Sequence, residues 1–182
     1  MASESIMECA VASWLAKGPV KVARQVRLDN MRFDVVAYAK GRGVFNVVEC
    51  KPASGHTDIG KALGQLSAYR DKIRNKPDEI VDSVSEKISM RFGRWMEATN
   101  CGRRIRITFH AALTDKALKD ISRIRDFKQQ YPHFGIIRYR KDGSCRGYIR
   151  EGQEINRELA RATMIEVPLR SPWTAPQVGG TR

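Results

Sequence analysis

The sequence predicts a mixed α/β (α+β) fold: a central mixed sheet that opens with an antiparallel three-strand meander and is flanked by helices. Three observations carry this. Residues 20–51 hold three strand-like segments joined by connections short enough for hairpins. The flanking segments 3–16 and 57–75 repeat their apolar residues at helical spacing. Beyond residue 100, strand and helix patterns alternate, as in a sheet covered on both faces.

In order, Ser3 to Ala16 reads as a helix, with Ile6, Cys9, Ala10, Ser13 and Trp14 at helical spacing and Gly18-Pro19 stopping it. VKVARQVRL (Val20–Leu28) alternates apolar and polar residues like a half-buried strand, and Asp29-Asn30 is a good turn. MRFDVVAYA (Met31–Ala39), the turn Lys40–Gly43 and VFNVVECK (Val44–Lys51) complete the meander. Pro52 to Gly55 breaks the strand, and Thr57 or Asp58 caps a helix reaching about Asn75. A further helix is expected from Asp78 to about Ala98, a strand over Ile105–Leu113, and a helix over Asp115–Gln130 capped by Thr114. FGIIRYR (Phe134–Arg140) and GYIRE (Gly147–Glu151) read as a hairpin around Lys141–Ser144, followed by a short helix over Asn156–Met164. One domain is expected over residues 1–170, and the Pro/Gly-rich SPWTAPQVGGTR from Ser171 reads as a mobile tail.

Composition narrows the function classes. Hydrophobic residues make up 42% of the 182, ordinary for a globular protein, and no stretch approaches the roughly 18 apolar residues of a membrane span. Glu4 and Glu8 interrupt the N-terminal apolar stretch, which argues against a secretory signal. The four dispersed cysteines suit reduced thiols better than a disulfide framework or zinc knuckle. A cytoplasmic or nucleoid-associated location is therefore expected. The formal charge is +13, and residues 101–150 alone hold 13 Lys and Arg against 4 Asp and Glu. Such a field attracts polyanions, nucleic acid first.

The meander carries charge inside its most apolar segments. Glu49 and Lys51, two residues apart on one strand, share a face. Asp34 lies on the neighbouring strand, roughly opposite residues 48 to 50 if the hairpin turns near Gly41. Two converging carboxylates repel each other, and a hard divalent cation relieves that repulsion. Asp34, Glu49 and the main-chain carbonyl of Cys50 could supply three oxygens to Mg²⁺ or Mn²⁺. Lys51 could orient an attacking water or stabilise charge on phosphorus. The plainer reading is that Asp34 sits in an ion pair and that Glu49 and Lys51 are solvated at a strand end.

Acid on one strand, a tight turn, then an apolar-ExK strand followed by a helix resembles the PD-(D/E)XK nuclease superfamily, the restriction-endonuclease-like fold that includes Holliday junction resolvases and RecB-like members. FDVVAY with Asp34 and VVECK with Glu49 and Lys51 carry the likeness; Phe33 stands where a Pro is frequent. Glu8, in the helix before the meander, matches an additional acidic metal ligand. Glu4 shares its face at i,i+4, and Glu8 is preferred because it lies among apolar neighbours. QLSAY, Gln65 to Tyr69, looks like a QxxxY motif: Gln65 would bond Lys51 or a phosphate, and Tyr69 would reach a phosphate or stack on a base. The dispersed cysteines lead us to expect no iron–sulfur cluster.

The resemblance implies a metal-dependent DNA endonuclease that hydrolyses phosphodiesters through a metal-activated water, leaving 5′-phosphate and 3′-hydroxyl products. DNA is the expected partner, with RNA as the alternative substrate; a homodimer or a larger complex would complete the assembly. The rival reading is a non-catalytic nucleic-acid-binding module, or a nuclease subunit of a repair, recombination or defence machine. Arg104, Arg106, Arg138, Arg140 and Lys141 are expected to hold the backbone with strong salt dependence. His56, in the loop after Lys51, could touch a phosphate, although a solvated loop histidine is the simpler account. His110, in TFHAAL, reads as structural.

Overall fold

A computed structural model of the chain describes residues 3–18, 20–39, 44–52, 56–76, 79, 83, 104–118, 134–150, 153–154 and 165–168. Helix α1 (Glu4–Leu15) begins at Ser3, which has an extended backbone and whose hydroxyl accepts the Ile6 N–H at 3.4 Å. Its buried face is Met7, Glu8, Val11 and Leu15, an i, i+4 stripe with one carboxylate in it. Strands β1 (Val20–Leu28), β2 (Met31–Ala39) and β3 (Val44–Lys51) form the expected antiparallel meander with the expected bounds. Asp29 takes φ 51° in the β1–β2 connection, the left-handed conformation that a two-residue hairpin needs.

Strand β3 then pairs in parallel with β4 (Arg104–Thr114), which requires a crossover, and helix α2 (His56–Asn75) is its described part. Strand β5 (Phe134–Tyr139) extends the parallel portion. It turns through Lys141–Ser144, where Gly143 has φ 81° and the Asp142 carboxylate accepts the Ser144 N–H at 2.9 Å. Strands β6 (Cys145–Arg150) and β7 (Gln153–Glu154) follow. Strand β8 (Ile165–Pro168) returns antiparallel to β4. The sheet runs β1-β2-β3-β4-β5-β6-β7, and β8 and β5 pair with successive halves of β4. The fold is thus α+β with a mixed sheet.

The sheet separates two apolar clusters. One gathers Ala62, Leu63, Leu66, Tyr69 and Ile73 of α2 with Val26, Phe33, Val36, Val47 and Phe109. The other gathers Met7, Val11 and Leu15 of α1 with Val35, Ala37, Val48, Cys50 and Ile137. The two helices therefore cover opposite faces. A strict period of two would keep each strand's even residues on one face. Yet Val20 and Val22 pack on the α1 side, while Val26 and Leu28 lie on the α2 side. In β2, Phe33 lies on the α2 side and Val35 on the α1 side. Both strands change face between the register pairs Arg24↔Val35 and Val26↔Phe33, where Gln25 and Asp34 stand. Gln25 has φ 54°, a left-handed residue within a strand, and such a local irregularity turns its successors over.

Strands β7 and β8 were not expected: two and four residues are too short to show alternation. Asp115 to Leu118 form a turn that bonds back to the Thr114 carbonyl; the rest of the helix expected there lies outside the described residues. So do most of the helix expected over 78–98, of which Glu79 and Ser83 are helical, the helix over 156–164 and the tail from 171. Among the described residues, no helix is long and apolar enough to cross a membrane.

Candidate functional site

The β2–β3 register ends at Val35↔Val48, one residue short of Asp34 and Glu49. Past that point the Asp34 carboxylate accepts the Cys50 N–H at 2.8 Å, in place of a further ladder bond. A strand residue's carbonyl points to the same side as its N–H, so the Cys50 carbonyl also faces the β2 side. Asp34, Glu49 and Glu8 are 2%, 1% and 3% exposed, so three carboxylates lie almost fully out of water.

Helix α1 supplies the other acids. One carboxylate oxygen each of Glu4, Glu8 and Asp34 lie within 4.8 Å of one another, a spacing at which a single cation could touch all three. Glu8 is pinned through Oε2, which accepts from the Arg24 guanidinium at 3.1 Å and from the Gln25 amide at 2.6 Å. Glu49 is held differently. Its Oε1 pairs with the Lys51 ammonium at 2.8 Å, and its Oε2 accepts from the Tyr69 hydroxyl at 3.0 Å. Lys51 also lies 3.7 Å from Glu4, so it links the two glutamates across the end of the sheet.

The electrostatics match this layout. Burial, then repulsion from Glu49, pushes the Asp34 carboxyl up to about 7, against the pull of the Cys50 N–H and of Lys51. Burial also raises Glu49, which Lys51 and Tyr69 only partly offset. Burial works to lower the Lys51 ammonium, but Glu49, Glu4 and Asp34 outweigh it and hold its proton more tightly than usual. Burial, then Asp34, raises the Cys50 thiol well above its ordinary range, so it is an inert packing group rather than a nucleophile. Glu49, Glu4 and Asp34 act on Lys51, and Glu8 pairs with Arg24, so four acids meet two bases. The site carries excess negative charge that protons or a cation must balance, and carboxylate oxygens are the donors that hard divalent cations take.

The structure gathers Asp34, Glu49, Lys51, Cys50 and Glu8 at one end of the sheet. It leaves Gln65 apart: that residue is exposed on α2, and among the described residues the ion pairs of Lys51 go to Glu49 and Glu4. Tyr69 corrects the expectation of a nucleic-acid contact. It is 5% exposed, its ring meets Phe33 edge-on at 4.7 Å, and its single hydroxyl proton is shared between Glu49 Oε2 at 3.0 Å and the Arg32 carbonyl at 2.8 Å. Its place is beneath the site, orienting Glu49. His56 opens α2, and its side chain lies outside the described residues.

The basic residues divide by strand direction. Lys51 pairs with Leu113 and Leu113 with Arg138, so the β5–β6 hairpin with Arg140 and Lys141 stands at the carboxylate end. Arg138 itself is tied to Asp115. Arg106 pairs with Val44, seven residues before Leu113, which puts it about 23 Å along the strand from the Lys51 level. Arg104 and Arg106 therefore stand at the opposite end of the sheet from the carboxylates. Arg27 and Arg32, directly opposed on β1 and β2 and both exposed, stand at the carboxylate end instead. They line an open depression of about 320 Å³ with Asp29, Asn30 and Met31.

The sequence offers Glu4 and Glu8 as alternatives at i,i+4, and the structure brings both to the site. Nothing in VKVARQVRL marks Arg24 or Gln25.

No family model matches the chain, and no curated protein matches it. Among solved structures, the chain is similar to the crystal structure of an XisH family protein from Nostoc punctiforme, at 14% identity and a TM-score of 0.47, over 83% of this chain and 99% of that one.

Proposed function

We propose that the chain is a divalent-cation-dependent nuclease acting on DNA, built on a restriction-endonuclease-like core. The observation that carries this is the convergence of Glu4, Glu8 and Asp34 oxygens within 4.8 Å, beside the buried Glu49–Lys51 pair. Glu4, Glu8 and Asp34 would hold the Mg²⁺ or Mn²⁺, while Glu49, bonded to Lys51 and Tyr69, sits beside Asp34. Such a cation, once bound, supplies Lewis acidity toward a phosphate oxygen and lowers the pKa of a coordinated water.

The chain's own groups do the rest. Lys51 stays protonated at neutral pH and is 19% exposed at its side chain, enough to meet a phosphate oxygen from the solvent side. Tyr69 and Lys51 together fix both oxygens of Glu49, so the acid beside the lysine cannot swing away. Arg140 and Lys141 of the β5–β6 hairpin, with Arg27 and Arg32 of the β1–β2 end, offer a basic rim to the phosphate backbone without reading sequence.

The test is a panel of labelled linear duplex, single strand, four-way junction, supercoiled plasmid and RNA, each with Mg²⁺, Mn²⁺ or EDTA. Wild type runs beside Lys51→Gln, which keeps a hydrogen-bond donor for Glu49 while removing the charge. Cation-dependent cutting of at least one DNA is expected, reduced about a hundredfold or more in the variant, the usual cost of losing one charge-stabilising group. Binding without cutting under every cation would overturn the enzyme reading in favour of a binding module or a subunit awaiting its partner.

A further inference from the structure

We infer that Gln25 is a positioning residue of this centre: its left-handed backbone brings its amide, beside the Arg24 guanidinium, onto one oxygen of Glu8 and so fixes that carboxylate for the cation. The inference rests on the metal-site reading above. Consecutive residues of a regular strand point to opposite faces, so Arg24 and Gln25 should not reach the same atom. Both nevertheless bond Glu8 Oε2, at 3.1 and 2.6 Å. The φ of 54° at Gln25 accounts for this convergence. A left-handed conformation is unfavourable for a residue that carries a side chain. The β1–β2 turn does not require it, because that turn lies at Asp29-Asn30, four residues on. Unusual backbone that the surroundings hold in place clusters at working sites.

The same residue organises the cluster on a larger scale. It stands opposite Asp34, at the level where β1 and β2 both change face. That change lets Asp34 meet Glu8 of α1 and Glu49 of β3 at once, although these acids come from opposite sides of the sheet. With both donors on Oε2, Glu8 Oε1 has no donor among the described residues and is the oxygen left for a cation. Partners of this kind, which orient a ligand without touching the metal, typically govern affinity by 10–100-fold.

The experiment is Mn²⁺ titration of Gln25→Gly and Gln25→Asn beside wild type, with melting curves of the metal-free proteins. Gly accepts the left-handed backbone and lacks the amide. Its backbone relief and the lost hydrogen bond are of similar size and opposite sign, so its melting midpoint should stay near that of wild type. Its Mn²⁺ affinity should fall about tenfold. Gln25→Asn tolerates the backbone and keeps a shorter amide, and should lie between the two. A glycine variant that binds Mn²⁺ like wild type overturns the positioning role and leaves the metal site standing. A glycine variant that melts far lower overturns the left-handed backbone at Gln25. Wild type that takes up no Mn²⁺ removes the metal reading and this inference together.

Discussion

Asp34→Asn is expected to lose cation-dependent cleavage by about a thousandfold or more, and yet to be the more stable protein above neutral pH. The loss follows from removing a charged ligand: Lewis-acid catalysis supplies several kcal/mol, and about 4 kcal/mol corresponds to a thousandfold in rate. The gain follows from linkage. Asp34 ionises near 3.8 when unfolded and near 7 when folded. Between those values the folded protein keeps a proton that the unfolded chain has released, so stability falls as pH rises through this window and levels off above it. Each pKa unit is worth about 1.4 kcal/mol, which sets the penalty at roughly 2–4 kcal/mol. Asparagine keeps an acceptor for the Cys50 N–H and carries no charge. At pH 8 the variant should therefore melt about 5–10 °C above wild type, and at pH 4 the two should coincide. Equal melting at pH 8 would mean that Asp34 carries no desolvation penalty and that its acidity is ordinary.

Gly135→Ala should be the most damaging small change in the core. Gly135 pairs with His110 across β4 and β5, and the imidazole lies over the glycine. A Cβ there would sit 2.0 Å from Nδ1 and 2.5 Å from Cε1. The ring cannot simply step aside. His110 Nε2 bonds Thr108 Oγ1 at 2.9 Å, Thr108 donates to Asn46 at 2.7 Å, and Asn46 donates to the Ala37 carbonyl at 3.2 Å. All three side chains are buried, so moving the histidine breaks a polar chain that spans β2, β3 and β4. Overpacking and the lost bond together cost about 3 kcal/mol or more. Urea denaturation should show this as a lowered midpoint with an unchanged slope. Adding His110→Ala removes the clash, so the double variant should cost about 2 kcal/mol less than the sum of the single changes. An alanine variant with the wild-type midpoint would place the imidazole elsewhere.

What the sequence made visible, and what it hid, follows from which patterns are local. The meander was legible because β1 alternates, β2 and β3 are short apolar runs, and the three are joined by turns at Asp29-Asn30 and Lys40–Gly43. Asp34, Glu49 and Lys51 were legible because a charge inside an apolar strand is conspicuous and alternation says which neighbours share its face. The change of face in β1 was not legible. Val20, Val22, Val26 and Leu28 are all even-numbered and read as one stripe, although they serve two clusters. In β2 both parities are apolar, so an inversion at Asp34 leaves no trace in the pattern. The QLSAY helix misled for a related reason. Gln65 and Tyr69 lie one turn apart on α2, but tyrosine is long and amphipathic and goes under the sheet, while glutamine stays in water. Counting the charges of residues 101–150 gave no direction along β4, so Arg104 and Arg106 were grouped with basic residues from the opposite end.

The central claim is that Glu4, Glu8 and Asp34 form one cation site, and Mn²⁺ uptake read by electron paramagnetic resonance tests it most directly. Metal-free wild type and Asp34→Asn would be titrated side by side at pH 7.5 and again at pH 5.5. One saturable site is expected in wild type, weaker at pH 5.5 where a proton on Asp34 competes with the cation, and lost in the variant. Uptake that is absent from wild type, or equal in the two proteins at both pH values, would contradict the claim.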